Sequence, residues 1–450
     1  MALVTDNIRA AQFSHPHEGA ASPLSRSATV SAAWAPAESG SLSLLSFVVL
    51  LVLARMLTPE DFGLAAIALS VVQLLAAICE VLFHDAIVHR DGLTREQLAS
   101  AHTLTVALGA LLTAAAAATA PLVETLLAVD RLGPVLAAAA PAIFFTSLSA
   151  VPVANLRRNM EFRAVALRMM CGRLAGGAIA IAAVLGGLGL WSLIAQLVAT
   201  AAFASIGVFV AGARNWPGFG PPRGAVGMMG FAGTTLVVNL LWGNAAKVFV
   251  LACGFVLAPA ALGLLALAMR IVDTLASLIA TPQSKVALSV FSRAYRDSGT
   301  VRTAYLAGAR MSSYLVVPVF AGLAATAHDV VVATVGARWL DIVPLVQIFA
   351  IGHPVRSLIA LGGPTLTATG QPSANLGVAV GDLAAAIALL VVFSPLGPAG
   401  LASGWALRLL VTAPLIAYLL GRHAGLRPGD LFAGAFGAVA AAAEIGRAHV

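Results

Sequence analysis

The sequence predicts an all-α membrane protein of twelve transmembrane helices plus a truncated thirteenth, arranged as two parallel-repeat six-helix bundles around a central cleft. Three observations predict it: a composition suited to lipid, a succession of apolar runs of bilayer length, and an alternation of basic residues between those runs. Of the 450 residues 60% are hydrophobic and 10% charged, with a mean hydropathy of +0.95, outside the range of soluble domains. In lipid every backbone N–H and C=O must be paired within the chain, so spanning segments are helices or a closed barrel. Long runs of Ala, Leu, Val and Gly without period-two alternation exclude the barrel.

A bilayer core takes ~20 apolar residues per helix. With that ruler the first half holds runs at 39–57, 62–83, 98–123, 132–155, 169–185 and 190–211. The second half holds runs at 229–255, 261–281, 305–327, 342–367, 374–393 and 399–420. The domains that follow are a disordered cytoplasmic tail at 1–30, bundles at 31–212 and 229–421, and a cytoplasmic linker at 213–228. The tail is polar and rich in Ser, Ala, Pro and His, with no apolar core of a signal peptide. Residues 422–443 hold a loop and the start of a thirteenth helix. Residues 444–450, read back through suitable codons, spell a sequencing-library adapter and interrupt an apolar run that begins near Leu431. They are expected to be an artefact.

Orientation follows from the bias of Lys and Arg toward cytoplasmic loops. With the N-terminus inside, seventeen of the 26 basic residues fall on inner segments, Arg157, Arg158, Arg163 and Arg168 among them, against Arg131 and Arg338 outside. The net charge of +7 is therefore a topology signal. Its scatter between apolar runs argues against a nucleic-acid partner. Cys79, Cys171 and Cys253 each lie in an apolar run without metal or redox spacing and read as small core residues. His84, His102 and His353 show no metal spacing either. No cofactor is expected, and no Gly-rich phosphate loop is present to hydrolyse ATP. The short outer loops argue against a membrane glycosyltransferase or polymerase.

Two helix starts are written plainly. Thr58, Pro59, Glu60 and Asp61 supply an N-cap, a proline at the first helical position and acids beside the positive end of the dipole. Thr94 with Gln97 forms a capping box. The first of these stretches recurs: 57–68 and 257–268 share six of twelve positions at an offset of 200 residues, including Pro59/Pro259 and Gly63/Gly263. Both copies follow an odd-numbered span, which predicts halves of like orientation with a substrate site between them near the midplane.

The stretch Val52-Leu53-Ala54-Arg55-Met56-Leu57-Thr58-Pro59-Glu60-Asp61-Phe62-Gly63 is joined, in order, by 87–98, 156–163, 187–193, Gly336-Ala337-Arg338-Trp339-Leu340 and Thr369-Gly370-Gln371-Pro372. Together they resemble bacterial polysaccharide and lipopolysaccharide biosynthesis flippases, the O-antigen type within the multidrug/oligosaccharidyl-lipid/polysaccharide exporter superfamily. The resemblance covers residues 33–443. It departs from the family where relatives carry an acid and Gly-Arg before the second Pro-x-x-Leu-Gly: here Phe255 follows Gly254.

The resemblance implies a substrate with a polyprenyl pyrophosphate tail and a sugar headgroup, destined for O-antigen, capsule or exopolysaccharide. It also implies a bacterial cytoplasmic membrane, a polymerase and export proteins as pathway partners, and a cationic cleft flanked by membrane lipid. The alternative is a cation-coupled multidrug or metabolite exporter of the same superfamily. Charges inside spans are the candidates, because each costs ~2.5–3.5 kcal/mol at the bilayer centre unless it faces a cavity or a partner. Lys247, Arg270, Arg356 and, at the outer edge of the first span, Arg55 are the candidate substrate contacts. Glu80, Asp273 and Asp382 are the candidate coupling groups. Lys247 leads, having no acid on its own helix. Arg270 and Asp273 stand at i and i+3, which predicts either an intrahelical ion pair or a guanidinium free to grip phosphate. Arg173 and Arg408 lie near inner span ends and are expected to snorkel. Six basic residues against three acids favour an anionic substrate over a cationic drug.

Overall fold

The structure, a computed structural model, describes residues 44–90, 92–212, 216–298 and 301–431. The expectations for 1–30, for 444–450 and for the thirteenth run beyond Leu431 fall outside these residues. Among the described residues the secondary structure is helical, with no strand. The first half comprises α1 (Leu44–Met56), α2 (Pro59–Val81), the short α3 (His84–His89), α4 (Arg95–Leu127), α5 (Leu132–Ala139), α6 (Pro141–Arg158), α7 (Phe162–Leu185) and α8 (Trp191–Gly212). The second comprises α9 (Val226–Cys253), α10 (Pro259–Ser298), α11 (Arg302–Ala325), the short α12 (Ala327–Thr334), α13 (Val343–Ala368), α14 (Pro372–Phe393) and α15 (Gly397–Ala424). Nine described stretches are long and apolar enough to cross a membrane; one of them, Ser373–Ala424, unites α14 and α15.

The helix starts form as their residues dictate. Thr58 accepts from the Asp61 N–H while the Asp61 carboxylate accepts from the Thr58 N–H, and Thr94 and Gln97 repeat the exchange at α4. Two expectations are corrected. The span expected at 261–281 belongs to a helix of 40 residues, about 60 Å long at 1.5 Å per residue, so the loop expected after it is helical as far as Ser298. Cys171 is exposed, whereas Cys79 and Cys253 are buried as expected.

The two copies of the repeated motif meet one another. A Cβ added at Gly63 would lie 1.8 Å from the Pro259 carbonyl oxygen, and one added at Gly263 would lie 1.8 Å from that of Pro59. The first turns of α2 and α10 therefore touch backbone to backbone, at the same level, a proximity that only glycine permits. Beneath this crossing one hydrophobic core draws on both halves, from Leu53, Ile67 and Leu136 to Leu265, Phe320 and Trp405.

Around the crossing each half closes helix ends of the other. The last carbonyls of a helix have no partner inside it and carry the negative end of its dipole. At the end of α1, Ala54 O accepts from Trp339 Nε1 at 2.7 Å, and just beyond it Leu57 O accepts from Arg338 Nη1 at 3.1 Å. In return Arg55 donates to the last carbonyls of α12, with Nε to Thr334 O at 2.8 Å and Nη2 to Ala333 O. Trp339 is fully buried and meets Phe62 edge-on at 5.4 Å. Trp339→Phe keeps most of that packing but leaves a buried carbonyl unpaired, at ~1–3 kcal/mol. Its melting temperature in detergent is expected to fall accordingly, and an unshifted melt would show the indole bond to be idle.

At the opposite end Arg302 at the start of α11 donates Nε and Nη2 to Asp430 Oδ2 and Oδ1 at 2.7 and 2.9 Å. This grip fixes the segment after α15, and the Arg302 guanidinium holds the Asp430 carboxyl below the usual carboxylate range.

Candidate functional site

A cavity of about 410 Å³ runs from the level of Leu69 and Arg270 to that of Glu80 and Arg168. The two helices that contribute most, α2 and α8, each line it with one periodic face. The α8 face is Leu193, Gln196, Leu197, Thr200, Ala201 and Ala204; the α2 face is Leu69, Gln73 and Glu80. Thr146 and Ser149 come from α6, Ser46 and Val49 from α1, Arg168 and Arg173 from α7, and Arg270 alone from the second half. Since α2 and α10 start level, Arg270, eleven residues into its motif, stands about 16 Å below the crossing. Glu80 lies at the far end of α2, about 32 Å below it.

Glycines set the depth of the α7 and α8 residues. A Cβ at Gly207 would meet Arg168 Cα at 3.0 Å, one at Gly172 the Thr200 carbonyl at 2.7 Å, and one at Gly176 the Thr200 hydroxyl at 2.0 Å. The two helices thus run antiparallel in close contact. Arg168 stands nearest the end away from the Pro59–Pro259 crossing, Arg173 is further in, and Thr200 and Gln196 lie beside the turn that follows Arg173.

The cavity is cationic, with three arginines against one glutamate. Arg270 and Glu80 are exposed to it, and Arg168 and Arg173 are half-buried. Arg168 Nη1 donates to Ser149 Oγ at 3.1 Å, and its Nε is buried with no acceptor among the described residues. Arg173 and Arg270 lie within electrostatic reach of one another, and Glu80 within reach of Arg168 and Lys247. Like charges are gathered here without a matching set of acids. Planar guanidinium forks in such an arrangement suit a polyanion with several oxygens, above all a phosphate or pyrophosphate. Among the described residues no cluster of His, Cys, Asp and Glu could hold a metal ion.

The structure distributes the predicted site residues over four places. Arg270 and Glu80 line the cavity. Lys247 does not; it is half-buried on α9 and donates to Asn244 Oδ1 at 2.7 Å. Arg55 lies at the crossing end. Asp273 does not pair with Arg270 along the helix; it accepts from Arg356 Nη1 of α13 at 2.7 Å, a partner supplied by the helix packed beside it. Asp273 and Arg356 instead line a small void of about 20 Å³ in the second half, with His353, Trp405 and Arg408.

Two further expectations are corrected. Arg408 does not snorkel: it is 4% exposed, its Nε donates to Asp382 Oδ2 at 3.3 Å, and its guanidinium lies 3.4 Å from the centre of the Trp405 ring. Arg173 turns into the cavity and not to a surface. Arg168, Gln73, Gln196 and Thr200 were not singled out by sequence reasoning. The available signals were the five-residue step from Arg168 to Arg173 and two amides set in apolar runs.

Helices of this length, number and apolarity around a polar cavity define a multi-pass membrane transporter fold, and solved structures agree. The chain superposes on "Lipid II flippase MurJ, inward closed conformation" with a TM-score of 0.75 at 14% identity, over 91% of each chain. It superposes on an inward-facing MATE-family multidrug resistance transporter of the MOP superfamily with a TM-score of 0.67 at 14% identity, over 93% of this chain and 99% of that one. Residues 52–344 match the polysaccharide biosynthesis protein family, and the chain belongs to it. A curated relative, the succinoglycan biosynthesis transport protein ExoT of Rhizobium meliloti (strain 1021), is 25% identical over 335 residues, which are 73% of this chain and 66% of that protein. The match thus spans just under two thirds of the relative's length.

Proposed function

We propose that the chain is a flippase that carries polyprenyl-pyrophosphate-linked oligosaccharide across the cytoplasmic membrane of a bacterium for cell-surface polysaccharide synthesis. The observation that carries this reading is the excess of arginine in a cavity to which both halves contribute. The pyrophosphate sits among Arg168, Arg173 and Arg270 while the prenyl tail stays in lipid. The N-terminus and the Glu80 and Arg168 end of the cavity face the cytoplasm, and the crossing of Pro59 and Pro259 seals the outer side. Six spans at 31–212 and six at 229–421, joined by 213–228 and followed by a thirteenth, rock against each other to alternate access; the reciprocal Gly63 and Gly263 contacts support this two-fold arrangement. Release to the outside requires that the Arg55, Arg338 and Trp339 bonds part.

The test is transbilayer movement of a labelled polyprenyl-pyrophosphate sugar in vesicles. A hydrogen bond to a charged group contributes ~1.5–3 kcal/mol, so Arg270→Gln and Arg173→Gln are each expected to slow movement about 10- to 100-fold. Lys247→Gln, whose amine is spent on Asn244, is expected to slow it far less. Wild-type rates in both arginine variants would remove the site. Glu80 is the one feature of the cavity that favours a cation exporter. That reading requires movement of an organic cation, abolished in Glu80→Gln, by a protein that leaves the lipid unmoved.

A further inference from the structure

Arg157, the last but one residue of α6, is held by a histidine and not by an acid. Its Nη1 donates to His84 Nε2 at 2.8 Å, and among the described residues it has no carboxylate partner. Arginine has donors only, so His84 Nε2 supplies the lone pair and the ring proton stands on Nδ1, which donates to Asp85 Oδ1 at 2.9 Å. The neutral imidazole alone can make both bonds. A protonated ring carries an N–H on each nitrogen, which sets donor against donor and like charge against like charge at Nε2. The guanidinium must then leave, while Asp85 keeps the imidazolium. Helix α3 itself has no reason to move: Phe83 and Ile87 stay buried with Ala101, Val151 and Ala154, and Arg158 Nη1 donates to Ile87 O at 3.4 Å. Water reaches the pair, since the His84 and Asp85 side chains are 23% and 22% exposed.

A released Arg157 lies where an anion would pass. Thr146 and Ser149 of α6 line the cavity; Arg157 follows Thr146 by three turns on the same face and stands about 12 Å beyond Ser149. It is within electrostatic reach of Arg168, the arginine at that end of the cavity. The charged groups around His84 are Asp85 beside it, Arg157 and Arg158 on α6, Glu80 at the end of α2, and Arg168 on α7. Helix α9, whose Met228 joins the same buried cluster, carries Lys247 as its one charge. Glu80 is the sole acid of this set besides Asp85, and it already lies within reach of both Arg168 and Lys247. Positive charge is therefore in excess around a released guanidinium, and an anion is the partner it lacks.

We propose that this end of the cavity carries a proton-gated anion site, in which protonation of His84 releases Arg157 to a phosphate oxygen of the entering headgroup before it reaches Arg168, Arg173 and Arg270. The proposal rests on the flippase reading above, and an imidazole suits the task because it changes charge between about pH 5 and 8. Purified full-length chain in detergent is titrated, from about pH 8 to about pH 5.5, with polyprenyl pyrophosphate bearing one neutral hexose, whose bridged phosphates keep their charge over that range. A hydrogen bond to a charged group contributes about tenfold or more, so wild-type binding is expected to tighten about tenfold as the pH falls. His84→Gln keeps an acceptor for Arg157 and does not titrate, so it binds at the weak, high-pH level throughout. His84→Leu releases Arg157 without a proton and binds at the tight level throughout, whereas Arg157→Gln is weak at every pH. A histidine that merely supports the fold would instead weaken both His84 variants alike; if His84→Leu does not fold, wild type against His84→Gln decides. Wild-type affinity that ignores pH, or a slope that survives in His84→Gln, overturns the gate, and binding that Arg270→Gln still weakens leaves the flippase reading standing. Failure of the lipid to bind at any pH overturns both.

Discussion

Replacing Gly63 or Gly263 by alanine is expected to lower the melting temperature of the detergent-solubilised protein sharply, and by nearly the same amount for each. The added methyl carbon would lie 1.8 Å from a proline carbonyl oxygen of the facing helix. Ordinary contact begins at 3.4 Å, so the helices would have to part by about 1.6 Å (3.4 minus 1.8). Overpacking costs ~1–3 kcal/mol where side chains can shift and more where they cannot. Here both obstacles are backbone, which sets the cost at the top of that range or above. The double variant should cost little more than either single one, because a crossing already forced apart has room for the second methyl. Gly322→Ala is the control: nothing lies within 4 Å of its added carbon, and a helical glycine replaced by alanine stabilises by ~0.5–1 kcal/mol. A wild-type melt for Gly63→Ala would mean that the crossing is not this close.

The second large effect concerns Arg408 and Asp382, both under 10% exposed. Thr412 Oγ1 donates to Asp382 Oδ1 at 2.7 Å, and Arg408 donates to both the carboxylate and the Trp405 carbonyl, so each charge is held by several groups. Removing one charge strands the other, at ~3–5 kcal/mol, whereas replacing both by apolar groups of similar volume is often neutral. Asp382→Leu and Arg408→Met alone are expected to destabilise severely, and Asp382→Leu/Arg408→Met to recover most of the loss. Transport by the refolded double variant would assign the pair to architecture. A well-folded double variant that no longer moves substrate would return Asp382 to the coupling groups.

These two predictions also show what a sequence can and cannot disclose about such a chain. Apolar runs gave helices at the expected places, because spacing and hydrophobicity are local properties; Thr58 with Asp61 and Thr94 with Gln97 capped as their residues dictate. The repeated Pro-x-x-x-Gly was legible as a pattern, but not as a contact. Ion pairing was the least legible feature. Asp273 stands one turn from Arg270 yet faces Arg356, 83 positions away, since the choice depends on which helices pack together. Arg168 reads as a loop charge because the apolar run begins only at 169, whereas the helix starts at Phe162 and carries Arg168 into the cavity lining.

The 40-residue helix α10 is pinned by its fifth residue, Gly263, and carries Arg270 seven positions further on. Its last residue, Ser298, is thirty-five positions from the pin, a lever about five times longer at 1.5 Å per residue. A swing about that pin that displaces the Arg270 backbone by one ångström therefore moves the far tip by about five, so the long arm enlarges slight displacements at the Arg270 level of the cavity into large ones at the opposite end of the helix.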